Sequence, residues 1–433
     1  MAKTVFIKDF KDSVGEEVMI QGWMFNKRGS GKLWFLELRD GTGTTQGVIF
    51  SKDPANDPLF KKGEQLTMES SVRVTGKVSK HPKLENTYEL QVSDLEIVQI
   101  SEPYPIAKKG HGIDFLLENR HLWLRSKKQR AIQMIRNTVI NATYEYLNRE
   151  SFTKIDSPIL TPNACEGTTT LFEVEYFDEG SAYLSQSGQL YLEAAIFSVG
   201  RCFDFGPVFR AEKSKTRRHL TEFWMMDAEA AFVEHEENMK IQEGLIEFIV
   251  GKVLEKNLSE LATLERDIEP LKKIKAPFVR MTHAEAIKKL HELGSDIKAD
   301  DDLGGDDETI LTKEYEKPIF VEKYPAKVKA FYMKRDPENE ELALCADLLA
   351  PEGYGEIIGG SQREDNYEVL LARVKEHKLP LEEFNWYLDL RKYGSVPHSG
   401  FGFGLERIVG WICGQKHIRE TIPFPRTINR IKP

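Results

Sequence analysis

Residues 1–102 run as short apolar-rich stretches set between polar, glycine-bearing turns. Runs of that length and spacing mark β-strands rather than helices. They predict strands over residues 17–23, 33–38, 45–50, 71–77 and 88–98, with Asp40-Gly41-Thr42-Gly43 among the turns. About five strands in about a hundred residues fit an OB-type β-barrel, an architecture that commonly grips single-stranded nucleic acid. Pro103-Tyr104-Pro105 reads as a hinge, taken over residues 103–127. Beyond it the period changes. Ile132, Ile135, Val139, Ala142 and Tyr146 recur at spacings of three and four, one apolar face of a helix over residues 128–146.

Residues 235–312 are charged, helix-rich in pattern and poor in site-like residues, and read as peripheral helices with an insertion. Sequence with site-like chemistry resumes at Lys317-Pro318-Ile319-Phe320-Val321 and continues to the end. Helices around a sheet make residues 128–433 an α+β domain. A chain of 433 residues has room for two or three domains with buried cores.

Composition narrows the class only a little. No apolar run approaches about 18 residues, so a membrane span is not expected. Met1-Ala2-Lys3-Thr4-Val5 lacks the apolar core of a secretory signal. Cys165, Cys202, Cys345 and Cys413 are scattered and form no C-x-x-C pair, which favours neither zinc nor disulfides. The cytosol is the expected compartment. A formal charge of -9 argues at first sight against a nucleic-acid partner. Phosphate contacts, however, depend on local clusters, and Arg120, Arg125, Lys127, Lys128, Arg130 and Arg136 form one. The acidic segment 296–308 reads as a solvated loop.

Candidate chemistry gathers in two places. Phe209-Arg210-Ala211-Glu212 and Arg218-His219-Leu220-Thr221-Glu222-Phe223 set cations, carboxylates and a ring where a strand–loop–strand can wrap a nucleotide. A guanidinium suits phosphate because its planar fork donates paired hydrogen bonds and stays charged. An R-x-E pair by itself is more often a solvated strand edge. Near the C-terminus, Gly400-Phe401-Gly402-Phe403-Gly404-Leu405-Glu406-Arg407 runs into an apolar helix-like stretch. It lacks the context of a dinucleotide-binding glycine loop.

Together with Phe152-Thr153-Lys154-Ile155-Asp156-Ser157-Pro158, these segments resemble, in order, the three signature motifs of class II aminoacyl-tRNA synthetases of subclass IIb. The resemblance covers nearly the whole chain. It implies an N-terminal OB-type anticodon-binding barrel and a catalytic domain built on an antiparallel sheet flanked by helices. It also implies a homodimer, with the helix of residues 128–146 and Pro158 at the interface. The implied reaction is attack by an amino-acid carboxylate on the α-phosphorus of ATP, followed by transfer to tRNA. Such chemistry rests on positioning and electrostatics rather than on a protein nucleophile. By position, Arg210 would bind the α-phosphate, Arg407 the γ-phosphate with help from His219, Phe223 the adenine face and Glu212 its amine. Asp347 and Glu356 would hold Mg2+, a hard cation that prefers carboxylates and water.

Ser185-Gln186-Ser187-Gly188-Gln189-Leu190-Tyr191-Leu192 is similar to the Q-S-P-Q-L-Y-K segment of the aspartyl members, with two departures. Gly188 replaces proline. Leu192 stands where a lysine meets the substrate's side-chain carboxylate. Without that lysine, a buried anionic side chain would be unpaired at a cost of several kcal/mol. A carboxamide fits better. Arg363 would donate to the amide oxygen, Asp227 would accept from the amide nitrogen, and Glu166 with Gln189 would hold the α-ammonium. Residues 168–173 would form a loop closing over the amino acid. These readings point to the asparagine-activating members, with an aspartyl enzyme of relaxed tRNA choice as the alternative. Rivals of other classes are a non-catalytic nucleic-acid-binding paralogue and a tRNA-independent ligase making asparagine.

In the N-terminal domain, Asn26-Lys27-Arg28 and Gly31-Lys32-Leu33-Trp34-Phe35 combine cations with aromatics, the means by which OB folds hold unpaired bases. The resemblance implies that Phe35 stacks an anticodon base while Arg28 and Gln46 make polar contacts. A Phe35 turned into the core is the simpler possibility.

Overall fold

The computed structural model describes residues 2–107, 109–162 and 171–433. Its chain divides between Gly112 and Ile113 into two compact units.

In the first unit, β1 (Glu17–Ser30), β2 (Leu33–Arg39), β3 (Thr44–Phe50), β4 (Ser70–Lys80) and β5 (Tyr88–Gln99) are the expected strands. They pair in the order β1-β2-β3-β5-β4, and β4 returns to β1, so the sheet closes into a barrel. Alternate residues fill it: Val18 and Ile20, Leu36 and Leu38, Val72, Val74 and Val78, with Leu90 and Leu95, are all buried. Closure needs a sharp bend in β4. The register slips between Thr75 and Gly76, and a Cβ at Gly76 would collide with the Gln91 carbonyl.

The second unit is built on a nine-stranded sheet among the described residues. Its strands are β6 (Thr153–Lys154), β7 (Arg201–Phe203), β8 (Gly206–Phe209), β9 (Glu222–Ala231), β10 (Val279–Thr282), β11 (Ile319–Glu322), β12 (Cys345–Ala350), β13 (Gly355–Gln362) and β14 (His398–Gly404). They run β10-β11-β12-β13-β14-β9-β7-β6, with β8 also on β9. The pairs from β11 through β14 to β9 and β7 are antiparallel, and only the two outermost pairs are parallel.

Helices α1 (Lys127–Arg149), α3 (His235–Lys256) and α5 (Leu405–Ile412) cover one face; α2 (Gln189–Val199) lies apart from this layer. The predicted stripe on α1 is real: Ile132, Ile135, Val139 and Ala142 are buried and Tyr146 is partly so. Ser126 caps its first turn by accepting from the Gln129 amide. On the sheet, Met226, Ala228, Ala230, Phe401 and Phe403 face these helices. The period of two turns their neighbours, Asp227, Glu229, Gly400 and Gly402, to the opposite face.

Two readings of the middle of the chain need correction. Residues 235–312 are not merely peripheral: in α3, Met239, Leu245, Ile246, Ile249, Val250 and Val253 are sealed in the main core. Strand β10 also joins the main sheet. The acidic segment is not merely solvated, because Asp302 and Glu308 line the principal cleft. Charged residues on the outer turns of a helix conceal an apolar face when only composition is weighed.

Candidate active site

Open space on the second face of the sheet begins with glycine. On β14, Gly400, Gly402 and Gly404 alternate with the two core phenylalanines. A Cβ at Gly400 would overlap the Glu229 carboxylate, and one at Gly402 would overlap that of Asp227. The strand thus leaves room for two acidic side chains from its neighbour β9. Gly359 on β13 does the same further along: its missing Cβ would lie 3.2 Å from Glu356 Oε1 and 3.6 Å from Asp347 Oδ1. Over this floor lies a cleft of about 400 Å³. Arg210, Glu212, His219, Phe223, Glu356, Arg407, Asp347, Gln189, Asp227 and Arg363 all border it. These residues are separated by up to about two hundred positions in sequence, and the sheet brings them together.

At one end the charges are large and paired. Arg210 follows β8, its Nη2 donates to the Gln186 carbonyl at 3.4 Å, and its guanidinium lies 5.8 Å from the centre of the Phe223 ring. Phe223 opens β9, opposite Val208. Arg407, in the first turn of α5, donates to Glu356 Oε2 at 2.6 Å, and this pairing outweighs burial to hold the Glu356 carboxyl below its usual range. Asp347 meets Lys329 at 2.9 Å, yet burial pushes its carboxyl up to about 6. His219 Nε2 lies 3.9 Å from Glu212 Oε2, and Thr216 and Ser214 meet its other ring nitrogen. Burial, with Arg407 nearby, lowers the His219 pKa, which keeps the ring neutral at neutral pH.

Toward the other end the site becomes a closed polar pocket. Asp227 accepts from Ser187 Oγ at 2.8 Å and from the Gly188 amide at 2.9 Å. Proline at 188 could not make the second bond, having no N–H. Arg363 is fully engaged on one side: its Nε donates to Glu229 at 3.1 and 3.2 Å and its Nη1 to Ser361 Oγ at 2.6 Å. Burial, reinforced by the Glu193 and Asp227 carboxylates, pushes the Glu229 carboxyl upward, but Arg363 opposes the shift and donates to both oxygens, an arrangement that favours the carboxylate. Gln189 Nε2 donates to Glu193 at 3.0 Å, which turns the amide oxygen the other way. Glu193, with no exposed surface, is itself held by Arg391 at 2.6 Å, His398 at 3.0 Å and the Tyr387 hydroxyl at 2.8 Å.

Residues 112–428 match the family described as tRNA synthetases class II (D, K and N), and residues 18–98 match the OB-fold nucleic acid binding domain. The chain belongs to this class II synthetase family. The synthetase is 53% identical over 427 residues to an asparagine–tRNA ligase of Desulforamulus reducens, with 99% of each chain covered. It is 53% identical over 429 residues to that of Pelotomaculum thermopropionicum, again with 99% of each covered. The structure of asparaginyl-tRNA synthetase from Pyrococcus horikoshii complexed with asparaginyl-adenylate superposes with a TM-score of 0.95, at 43% identity over 100% of both chains.

One expected residue of the synthetase lies apart from the cleft. Leu192 is not a pocket residue: it is fully buried on α2, in an apolar cluster with Ile196 and Cys202. Ile155, Ala195 and Ala231 close over that cluster, so Leu192 is covered by apolar packing rather than by the cleft. Glu166 and residues 168–170 of the expected closing loop lie outside the described residues. Sequence reasoning also missed Glu229, Glu193 and Glu308. Glu229 carried a usable signal, since two places beyond Asp227 on one strand means the same face.

On the barrel, Phe35 does not point inward. Leu36 and Leu38 fill the core, while Phe35 sits on the outer face with the Arg28 guanidinium 5.0 Å from its ring centre. Arg28 Nη2 donates to Gln46 Oε1 at 3.1 Å, and Gln46 donates on to Glu89 at 3.2 Å. The three residues form one partly exposed patch on β1, β2 and β3.

Proposed function

We infer that this synthetase joins asparagine to its tRNA through an asparaginyl-adenylate. The single observation that carries the reading is the cleft itself, in which paired cations lie at one end and Arg363 and Asp227 line the other, with buried Glu229 paired to the guanidinium. In the first step a carboxylate oxygen of asparagine bonds to the α-phosphorus of ATP and pyrophosphate leaves. In the second, a ribose hydroxyl of tRNA takes the acyl group and AMP leaves.

Each group acts through charge or position. Arg210 meets the α-phosphate and balances the charge that grows on its oxygens. Arg407 neutralises the γ-phosphate and the departing pyrophosphate, with His219 beside it. Phe223 stacks on adenine and Glu212 accepts from its exocyclic amine. Arg363 donates to the side-chain oxygen of asparagine and Asp227 accepts from its nitrogen, while Gln189, and Glu166 beyond the described residues, receive the ammonium. Asp227 lines the pocket and buried Glu229 already engages the guanidinium, which leaves no counter-charge for an aspartate side chain and disfavours the aspartyl alternative.

Asp347 and Glu356 suit Mg2+ as its protein ligands. Both carboxylates converge over Gly359, where any side chain would crowd them. With two carboxylates from the protein, phosphate and water would complete the shell of such a hard cation. When bound, that ion would offset phosphate charge. Phe35, Arg28 and Gln46 receive an anticodon base. A homodimer is supported by the exposed apolar residues Ile159 and Trp224 beside Pro158, which line a second cavity of about 300 Å³. No helix among the described residues is long and apolar enough to cross a membrane, and the cytosol is the proposed compartment.

Pyrophosphate exchange tests the reading. Asparagine should drive exchange far better than aspartate, and Arg210→Ala should abolish it while tRNA binding persists. Faster exchange with aspartate would overturn the assignment.

A further inference from the structure

Helix α4 (Gly305–Thr312) carries Glu308 from the middle segment of the chain to the phosphate end of the cleft. Its carboxylate makes two hydrogen bonds of different origin and sits over a glycine. Oε2 meets Arg218 Nη1 at 2.5 Å, on the loop between β8 and β9. The same oxygen accepts from the Glu356 backbone amide at 3.0 Å, at the start of β13. Beneath it is Gly355, held at a φ of +74°, where a Cβ would overlap both the Glu308 carboxylate and the Arg218 guanidinium. Arg218 is locked further by the neighbouring Thr309 Oγ1 at 2.5 Å and by the Gly353 carbonyl at 2.8 Å. Glu356, fixed through its amide, holds Arg407 through both its carboxylate and its carbonyl, at 2.6 and 3.2 Å.

One carboxylate therefore ties together the arginine-bearing loop, the hairpin that presents Glu356, and through Glu356 the guanidinium of Arg407. Both side chains of the Glu308–Arg218 pair are only 12% exposed, so the pair is shielded enough to fix geometry rather than flicker in water. We propose that Glu308 is a positioning residue for the triphosphate half of the site, setting Arg218 and Arg407 at the distance that ATP requires. The proposal deepens the adenylate-forming reading and rests on it. Glu308 touches no reacting atom; it acts through the two arginines and the Glu356 turn. The amino-acid pocket, lined by Arg363 and Asp227 with Glu229 paired to the guanidinium, shares none of its contacts.

Steady-state pyrophosphate exchange with the full chain separates the two halves. Glu308→Gln keeps an acceptor for the Glu356 amide but removes the charge facing Arg218. It should raise the KM for ATP about tenfold, the size expected for losing one charge-assisted contact, and leave the KM for asparagine within about twofold. Glu308→Asp, which keeps the charge on a shorter stem, should recover part of the loss. Equal shifts in both KM values, or none in either, would overturn the positioning role, as would an aspartate variant no better than the glutamine one. If Glu308→Gln does not fold, the aspartate variant carries the test through the same KM split. Failure of the unaltered protein to exchange with asparagine would instead sink the reading on which the proposal rests.

Discussion

Arg363 and Glu229 form an ion pair sealed from water, with the guanidinium Nε 3.1 Å from one carboxylate oxygen and 3.2 Å from the other. The pair inverts a simple expectation about the pocket. An arginine alone would invite an anionic side chain; an arginine already neutralised by its neighbour presents donors without net charge. Specificity for a carboxamide then follows from what the pocket holds on its own account, not only from a lysine that it lacks.

Glu229→Gln should therefore relax the choice of amino acid. The amide can still accept from Arg363, but the guanidinium regains a net positive charge toward the pocket. Aspartate-driven pyrophosphate exchange should rise by about tenfold or more relative to asparagine-driven exchange, the equivalent of about 1.4 kcal/mol or more in discrimination. An unchanged ratio would show that Glu229 serves packing alone.

Leu192 shows where the linear pattern stops short. The departure from lysine to leucine was legible, and so was its chemical meaning, a missing cation. Which way the side chain points was not, because that depends on how α2 is turned against β9. The structure places Leu192 against Ile196 and Cys202 with none of its surface exposed. Leu192→Lys should accordingly act on stability before selectivity. Burying an unpaired ammonium there costs several kcal/mol, so the melting temperature should fall by many degrees. A stable variant with altered amino-acid preference would mean that the lysine reaches the pocket after all.

Much else was legible for plain reasons. Strands of the barrel and the stripe on α1 follow from local periods of two and near 3.6, which need only neighbours in sequence. The phosphate-end arginines stand in recognisable local motifs. Glu193 does not, since its partners Arg391 and His398 lie about two hundred residues away and meet it only once the sheet has formed. Glu308 was hidden in a run of acids whose bulk composition suggested a solvated loop.

The Glu193 cluster has a definite pH signature. Burial opposes its ionisation, but Arg391 and His398 prevail and hold the carboxyl well below its ordinary value of 4.5. A carboxyl depressed on folding contributes stability that is fully present above its unfolded pKa and is lost as pH falls through the folded one. Between neutrality and about pH 5 the contribution should be constant, and it should decline in more acid solution. In denaturant melts across that range, Glu193→Gln should be less stable than the parent at pH 7, with the gap narrowing in acid. A gap that does not vary with pH would assign the loss to shape, not charge.

Phe35 offers the cleanest separation of the two units, because it lies in the barrel and none of the cleft residues does. Its ring faces outward beside Arg28, and its neighbours Leu36 and Leu38 hold the strand in place, so Phe35→Ala should leave the barrel folded. A stacked base is worth about 1–3 kcal/mol, which is about five- to 150-fold in affinity. Charging of tRNA should therefore weaken by a factor in that range, chiefly through the KM for tRNA. Asparagine-dependent pyrophosphate exchange, which needs no tRNA, should stay at the parental rate. Arg28→Ala should act in the same direction and less than additively with Phe35→Ala, since the guanidinium rests on the ring it helps to hold. Equal loss in exchange and in charging would place the defect in folding; no loss in charging would remove Phe35 from the tRNA interface.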